Sequence, residues 1–496
     1  TTLLYWASHL GDGYSSGAAG CPILVDGYLY SYGGSGGTGR IFKVDTVTGE
    51  TVASATMVGV SSFAITPMTY AQGMVFVALS DGRVEAFDAK TLDSLWVYTS
   101  PNGGQPNCPI SYHDGCIYTG FWNWASKTDF VCLTITDEHP DVPGHTYDEA
   151  TSTTTVADTK SALWTYAQAG GFYWAGAWAG DTYVLEGANA PSISGGLDMS
   201  GENSASGCVY SFDPKSGKVL DTLASYTDTS GTSVNIGNIK STICYDEVTD
   251  AYYFTARGGY LIKFKMNSDG TFASESGTAL RLENGEDVVS STSTPVIYNG
   301  RAYVGADSGS YNQYDGQYVD VVDLATFSIA YKIHCEGRPQ TSGLLTTAYQ
   351  GTDGYVYVYF FDNYTPGKLR VIKDRAGQTK PITAKETYTD SAGVTQTIDV
   401  APVVFCPVGA QAQYCICSPV VDEYGTIYFK NDSAYMMAVG STIDKLTVTQ
   451  SPDKTAYGVG DTFDATGMKV TATYSNGKTR DVTRYVKYST NPLTAN

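Results

Sequence analysis

Residues 73–98, GMVFVALSDGRVEAFDAKTLDSLWVY, contain three short apolar runs separated by turns. The runs are rich in Val, Phe and Tyr and have a period near two, which is typical of β-strands. The second run ends in an acidic turn at Asp88, and the third run contains Trp96. Together with TPMTYAQ, which begins at Thr66, the stretch predicts a unit of four short strands.

The beginning of this unit, an apolar run followed by a turn and an aromatic-rich run, occurs eight times in the chain. The copies start at Cys21, Thr66, Cys108, Ala175, Ser241, Thr294, Thr346 and Ser418. Four short strands repeated at roughly 40–70 residues are the signature of a β-propeller. We therefore predict an all-β chain with eight blades, which begin near residues 20, 62, 104, 170, 236, 288, 340 and 414. Seven blades is the alternative, if the divergent segment near 340–400 is an insertion.

The last repeat lacks a fourth strand, and the N-terminal LLYWAS has the character of that missing strand. Its Trp6 matches Trp96 and Trp164, which occupy the fourth runs of other repeats. We expect Leu3–Ser8 to pair beside Ala434–Val439, because this closes the ring and removes two exposed sheet edges. The propeller is thus predicted to span residues 1–440.

Residues 441–496 carry no blade pattern. They alternate Thr, Val and Tyr with polar residues, and Ser475-Asn476-Gly477 marks a hairpin turn. The segment is short for a complete sandwich. We therefore predict a small, incomplete Ig-like β-sandwich segment, and interpret the chain as a fragment of something longer.

The formal net charge of −20, from 50 acidic and 30 basic residues, argues against nucleic-acid binding, since no Lys/Arg cluster offsets it. No run of 18 apolar residues is present, so we expect no transmembrane segment. The ten cysteines lack zinc-type spacing. Cys21 and Cys108 are interpreted as small buried hydrophobic residues. Cys116 and Cys132, on neighbouring predicted strands, are a candidate pair for a disulfide.

The repeat at Gly73–Tyr98, with its acidic turn and its Trp-bearing fourth strand, resembles the PQQ-like repeats of the quinoprotein-type propeller superfamily. The C-terminal stretch LTVTQSPDKTAYGVGDTFDATGMKVTATYSNGKTRDVT resembles the bacterial Ig-like group 3 family, with landmarks at Pro452, Tyr457, Gly460-Asp461, Tyr474 and Gly477. That family is common in surface proteins of Gram-positive bacteria as a spacer. The resemblance therefore implies an exported protein, extracellular and associated with the cell surface or cell wall.

The quinoprotein dehydrogenases that this superfamily contains carry an adjacent Cys-Cys disulfide ring and an acidic base near a calcium-held quinone. The sequence has no Cys-Cys dipeptide, so we expect no PQQ, while a structural calcium ion stays open. His139 and His145 lie in DEHPDVPGHTYDE among several carboxylates, and we interpret this segment as a solvated loop. Asp45, Asp88, Asp213 and Asp323 are predicted to be turn residues that bond their own backbone.

Four tryptophans have no place in the repeat pattern. Trp122 and Trp124 lie after the second strand of the third repeat, whereas Trp174 and Trp178 lie at the entry to the first strand of the fourth. We predict that these indoles, with Tyr173, gather on one face as a shallow ligand site beside the insertion 185–207, because aromatic faces suit sugar rings and protein hot spots. The alternative is that they only plug the ring or pack the insertion.

These observations favour a non-catalytic extracellular surface protein, expected to be a monomer, whose propeller binds a glycan or a protein while the Ig-like module acts as a spacer. The alternative is an extracellular polysaccharide-degrading enzyme, a lyase or hydrolase with carboxylates around the central channel. The first-strand starts contain Ser, Thr, Cys, Pro and Gly instead of such acids, which favours the binding function and no catalytic residues. An envelope-assembly scaffold, a third alternative, conflicts with the Gram-positive-style tail.

Overall fold

The structure is a computed structural model that describes residues 2–11, 20–35, 38–61, 67–123, 127–190, 205–275 and 278–487. Nearly all regular elements in these residues are short strands. The exceptions are the α-helix Gln350–Asp353 and the 3-10 helices Gly409–Gln411 and Thr483–Tyr485. No helix in the described residues has the length and apolar character needed to span a bilayer. The all-β prediction is confirmed.

Eight sheets, each built on four antiparallel strands, follow one another along the described chain, and we number them in chain order. Sheet 1 contains Ile23–Val25, Tyr28–Ser35, Thr38–Asp45 and Thr51–Thr56, and sheet 2 contains Thr69–Ala71, Met74–Leu79, Arg83–Asp88 and Ser94–Thr99. Sheet 3 contains Ser111–His113, Cys116–Gly120, Thr128–Thr134 and Trp164–Gln168, and sheet 4 contains Trp178–Ala179, Val184–Ala188, Cys208–Phe212 and Val219–Leu223. Sheet 5 contains Cys244–Asp246, Ala251–Ala256, Tyr260–Phe264 and Ala279–Arg281, and sheet 6 contains Val296–Tyr298, Arg301–Ala306, Tyr318–Asp323 and Ser328–His334. Sheet 7 contains Leu344–Thr346, Val356–Asp362, Lys368–Asp374 and Val403–Phe405. Sheet 8 contains Val420–Val421, Ile427–Lys430, Tyr435–Ser441 and, as its fourth strand, Thr2–His9.

The predicted closure of the ring is confirmed. Thr2–His9 pairs antiparallel with Tyr435–Ser441, with Leu4 opposite Val439 and Ser8 opposite Met436. The segment near 340–400, an insertion in the seven-blade alternative, forms sheet 7 together with an inserted hairpin, Ala384–Thr389 and Thr395–Val400.

The apolar core is divided among the interfaces between neighbouring sheets. Eight buried clusters lie between successive sheets, including one between sheets 8 and 1 that contains Leu29, Val44, Tyr428 and Met436. Each sheet is therefore covered on both faces, which is why central strands such as Met74–Leu79 are almost continuously apolar. The first strands of sheets 8, 1, 2, 3 and 4 contact one another in that order, so the first strand of each of these sheets faces the middle of the ring.

The acidic turns and the fourth-strand tryptophans take the roles predicted for them. Asp45 Oδ1 accepts hydrogen bonds from the backbone N–H groups of Val47 and Thr48 at 2.8 and 3.1 Å. The same bonds recur at Asp88, Asp213 and Asp323. Each tryptophan donates its indole N–H to a carbonyl of the sheet that follows its own: Trp6 to Thr46, Trp96 to Ile135 and Trp164 to Pro214.

The insertion between the third and fourth strands of sheet 3 is more ordered than predicted. It forms the hairpin His145–Asp148 and Thr153–Val156, and Thr159–Lys160 then adds a parallel fifth strand to sheet 2. Whereas the His139 side chain is 60% exposed, His145 is buried, so the solvated-loop interpretation is wrong for His145. The physical reason is the edge of sheet 2, which the insertion covers by donating the Gly144 N–H to the Ser94 carbonyl at 2.9 Å.

The C-terminal segment forms a three-stranded sheet, Ile443–Gln450, Lys469–Tyr474 and Thr479–Asp481, with the hairpin turn predicted at 475–477. Val470, Ala472 and Tyr474 form the middle of its small core. The third strand of sheet 8 ends at Ser441, and the division into domains at residue 440 stays a prediction.

None of the ten cysteines, all of which lie in the described residues, forms a disulfide. Cys21 and Cys108 are buried, as expected for small hydrophobic residues. Cys116 lies opposite Thr134, and Cys132 lies opposite Tyr118. The two candidate disulfide partners are therefore diagonal neighbours and not a directly facing pair, and they are not bonded.

Candidate functional site

The aromatic residues predicted to form one site lie on two different faces of the ring. We call the loop face the side that carries the connections into the first strands and those between second and third strands. Trp122, Tyr173 and Trp174 lie on this face, whereas Trp178 belongs to the short first strand Trp178–Ala179, next to the turn that leads to Val184. Trp124 and residues 191–204 of the predicted insertion lie outside the described residues.

Two loops of the loop face are tied together by backbone hydrogen bonds. The Phe172 N–H donates to the Phe121 carbonyl at 3.0 Å, and Gln105 and Trp122 exchange hydrogen bonds of 2.6 and 3.2 Å. Gly171 allows this close approach, because a Cβ there would lie 2.5 Å from the Thr128 hydroxyl oxygen and its φ is +66°. The aromatic side chains that follow Gly171 are thus presented by a fixed loop.

Trp122, Tyr173, Trp174 and Lys240 form one cluster, which we call the aromatic site. The Trp122 and Tyr173 rings meet edge to face at 4.8 Å, and the Tyr173 and Trp174 rings lie 4.9 Å apart. The Lys240 ammonium lies 4.3 Å from the centre of the Tyr173 ring and 5.7 Å from that of Trp174. Lys240 is buried, and a desolvated cation over aromatic rings makes a strong cation–π contact.

The members of the aromatic site differ in exposure. Trp122 and Tyr173 are only 3% and 6% exposed, so they serve mainly as packing, whereas Trp174 is half-buried. The Trp174 backbone has a left-handed φ of 61°, a conformation that a bulky residue adopts only at a cost of about 1–2 kcal/mol. Its indole N–H is buried and makes no hydrogen bond within the described part of the protein.

Nearby amide groups of the loop face have similar open positions. The side-chain oxygens of Asn107, Gln168 and Asn189 are buried and make no hydrogen bond to any described residue. The amide nitrogens of the same side chains do donate hydrogen bonds; that of Asn189, for example, donates to the Gly170 carbonyl at 3.0 Å. The buried polar atoms of these loops therefore include one donor, the Trp174 N–H, and three acceptors that have no hydrogen-bond partner among the described residues.

Trp178 belongs to a different cluster. Its ring lies 5.0 Å from that of Tyr252 and 5.4 Å from that of Tyr183, at the turn side of sheets 4 and 5. Tyr183 and Tyr252 share a hydrogen bond between their hydroxyl groups at 2.8 Å. The expectation that Trp178 joins the other indoles is therefore wrong, because its ring packs beside the turn that joins the first and second strands of sheet 4.

A polar constellation that the sequence did not indicate lies outside the aromatic site. Glu85, in the third strand of sheet 2, is fully buried and hydrogen bonded to Nδ1 of His145. Nε2 of His145 lies 3.4 Å from the Thr56 hydroxyl, at the wall of a groove of about 780 Å³ between sheets 1 and 2 and the inserted hairpin. The available signal was the charged residue inside the apolar run VEAF.

The described residues contain no group of three or more His, Cys, Asp or Glu side chains that converge closely enough to hold a metal ion.

Comparison with known families supports the interpretation of the repeats. The model of the family described as outer membrane protein assembly factor BamB matches residues 4–113, and that of the bacterial Ig-like domain (group 3) matches residues 450–487. The chain combines PQQ-like propeller repeats with a bacterial Ig-like segment. No curated protein matches its sequence.

Solved structures similar to this PQQ-like propeller share its fold at low identity. BamB from Moraxella catarrhalis is 12% identical with a TM-score of 0.50, and the match covers 88% of this chain and 99% of that one. The quinohemoprotein alcohol dehydrogenase ADHIIG from Pseudomonas putida HK5 is 13% identical with a TM-score of 0.53, over 92% of this chain and 79% of that one. The quinohemoprotein alcohol dehydrogenase from Comamonas testosteroni is 12% identical with a TM-score of 0.54, over the same shares. At such identities the likeness establishes the fold alone.

Proposed function

We propose that the propeller is a recognition module that binds a glycan at the aromatic site. The observation that carries this proposal is Trp174, a half-buried indole held in a left-handed backbone conformation, with a buried N–H that no described residue accepts. Strain and an unused donor on an ordered loop of a rigid scaffold are typical of ligand sites.

The chemistry of the aromatic site fits sugars. A sugar ring stacks its C–H face on an indole, while its hydroxyl groups pair with polar groups beside it. The Trp174 N–H and the Lys240 ammonium supply donors, and the amide oxygens of Asn107 and Asn189 supply acceptors. Binding at this site requires no catalytic group.

The Ig-like segment and the acidic composition bear on where the protein would act. A net charge of −20 keeps an exported protein soluble, and an Ig-like module is suited to hold a binding head away from a surface. We place the protein outside the cell, associated with its surface, as a monomer. The family model that matches residues 4–113 is described as an outer membrane protein assembly factor, so a protein ligand is the second outcome that the experiment must separate.

A glycan array with the whole chain tests the proposal. Trp174→Ala is expected to abolish the binding that the parent shows, whereas Trp178→Ala, which removes an indole from the opposite face, is expected to leave it unchanged. Lys240→Met is expected to weaken binding on the order of tenfold, through loss of a cation–π and donor group. Equal loss in the Trp174 and Trp178 variants, or no glycan bound by the parent, contradicts glycan recognition and favours a protein ligand.

A further inference from the structure

We propose that the groove between sheets 1 and 2 and the inserted hairpin is an ester-hydrolysing site, with Thr56 as nucleophile, His145 as general base and Glu85 as the residue that positions His145. This site is separate from the aromatic site and adds an activity to the binding function proposed above.

Glu85 has the hydrogen bonds expected of a carboxyl group that orients a neighbouring side chain. Its Oε2 accepts the Val58 backbone N–H at 2.7 Å, and its Oε1 accepts the Ser94 hydroxyl at 2.7 Å and the hydrogen bond to His145 Nδ1. A carboxylate that accepts from Nδ1–H fixes the tautomer in which Nε2 carries a lone pair. That lone pair faces the Thr56 hydroxyl at 3.4 Å, a distance common for catalytic hydrogen bonds before a substrate binds.

The repeat itself provides a comparison that separates this site from simple packing. Asp320 occupies in sheet 6 the position of Glu85 in sheet 2, three residues before the turn aspartate, and is also fully buried. It accepts the Glu283 N–H at 2.7 Å, as Glu85 accepts that of Val58, but its other oxygen makes no hydrogen bond to a described residue. The hydrogen bond from a backbone N–H is thus common to both carboxylates and accounts for the structural role of this position. The hydrogen bond to His145, which the insertion brings to sheet 2, is made by Glu85 and has no counterpart at Asp320 among the described residues.

The groove supplies the remaining requirements of an acyl-transfer site. Arg40 lies directly opposite Thr56 in sheet 1 and lines the same groove, with its guanidinium bonded to the Ser54 hydroxyl at 3.0 Å. In this assignment Arg40 is the group that stabilises the oxyanion. The exposed acids Asp93, Asp141 and Glu149 line the opening. They repel anions, so the groove favours a neutral ester that bears hydroxyl groups, such as an acetylated sugar.

The reaction balances with water as the only co-reactant. The Thr56 oxygen attacks the ester carbonyl carbon while its proton passes to His145 Nε2. The C–O bond to the leaving group then breaks, and the alkoxide takes the proton from His145 and departs as the alcohol. Water, deprotonated by His145, attacks the acyl-threonine. The free acid leaves, and the Thr56 hydroxyl is regenerated.

The experiment measures hydrolysis of p-nitrophenyl acetate by the whole chain. Thr56→Val and His145→Asn are expected to lower kcat/KM on the order of a hundredfold or more. Thr56→Ser is expected to retain activity, because it keeps the hydroxyl. Glu85→Gln is expected to lower kcat with KM unchanged, which a purely structural role would not produce. The control is His113→Asn, which removes a half-exposed His paired with Asp181 at 2.7 Å in a different groove, and it is expected to have parental activity.

A covalent readout keeps the proposal falsifiable if a variant folds poorly. A fluorophosphonate probe is expected to label the peptide that contains Thr56 in the parent, and thermal unfolding of each variant reports its folding. Label on another peptide, or hydrolysis by the parent no faster than by His145→Asn, overturns the assignment. Neither result affects glycan binding through Trp174, so the two proposals fail independently.

Discussion

The Trp6 indole lies directly on Gly49, where a Cβ would come within 2.5 Å of the ring. The same indole donates its N–H to the Thr46 carbonyl at 3.0 Å. Trp164 of sheet 3 makes the same contact with Gly217 in the acidic turn of sheet 4, where a Cβ would again lie 2.5 Å from the ring. The strand that closes sheet 8 is therefore also fixed to the acidic turn of sheet 1, and the glycine of that turn is required by the tryptophan.

Replacement of this glycine tests the contact at the ring closure. Gly49→Ala is expected to destabilise the protein by about 1–3 kcal/mol more than Gly27→Ala, because the added methyl must displace the indole. Gly27 is a matched control with φ +79° against +73° for Gly49, and no atom lies within 4 Å of its Cβ position. The measurement is the free energy of unfolding in urea. Equal losses for the two variants would show that backbone strain alone accounts for the effect.

The Ig-like segment docks on the ring through Arg480. Its guanidinium lies 3.4 Å from Asp422, 3.1 Å from the Thr46 hydroxyl and over the Tyr424 ring at 4.4 Å, and its side chain is 12% exposed. Arg484 also reaches an acid, Asp45 at 3.4 Å, but its side chain is 60% exposed.

Loss of Arg480 is expected to release the segment. Arg480→Ala should raise hydrogen exchange and protease cleavage in residues 443–487, since it leaves a buried acid unpaired. Arg484→Ala should have little effect, because exposed ion pairs contribute less than about 1 kcal/mol. Equal exchange in both variants and the parent would mean that Tyr485, which donates to Asp45 at 3.0 Å, and the apolar contacts hold the segment by themselves.

The fold was predictable because its pattern is local and repeated. Each blade shows the same short runs and acidic turn, and Trp6 identified the N-terminal run as the missing strand of the last blade. The placement of Trp174 on the loop face follows from the same alternation of strand direction. The position of Trp178 was predicted wrongly, because the sequence does not show that the first strand of sheet 4 contains only Trp178 and Ala179. Trp178 is therefore part of the strand and not of the loop before it.

The partner of His145 was not predictable, because it depends on contacts between distant segments. Glu85 precedes His145 by 60 residues and belongs to a different sheet. Only the docking of the insertion on the edge of sheet 2 brings them together, and edge covering has no sequence signature of its own. The exposure of Trp174 was likewise not predictable, because it depends on how the neighbouring loops pack. Ligand binding at the aromatic site stays a prediction.

Asp320 should make the stability of sheet 6 depend on pH. Burial raises the pKa of its carboxyl to about 8, whereas the unfolded chain titrates near 3.8. Between these values the folded state binds more protons than the unfolded state, so stability is lost as the pH rises from about 4 through 8. Asp320→Asn is expected to match the parent near pH 4 and to be more stable by about 2 kcal/mol or more at pH 8.

Urea unfolding at a series of pH values measures this difference. The Asn side chain keeps an oxygen for the Glu283 N–H, so the backbone hydrogen bond is not the variable. A difference between the two proteins that does not change with pH would contradict the prediction.

Lys430 should give a pH dependence of opposite sign at the junction of sheets 8 and 1. Its side chain is fully buried and donates to the Tyr32 carbonyl, and burial lowers its pKa from 10.5 to about 7. Between these values the unfolded state binds more protons, so stability rises with pH from about 7 to 10. Lys430→Met is therefore expected to be most stabilising, relative to the parent, at pH 6 to 7, and to lose that advantage toward pH 10. Thermal unfolding of both proteins across this range measures the difference, and an advantage that does not change with pH would mean that the buried amine stays charged.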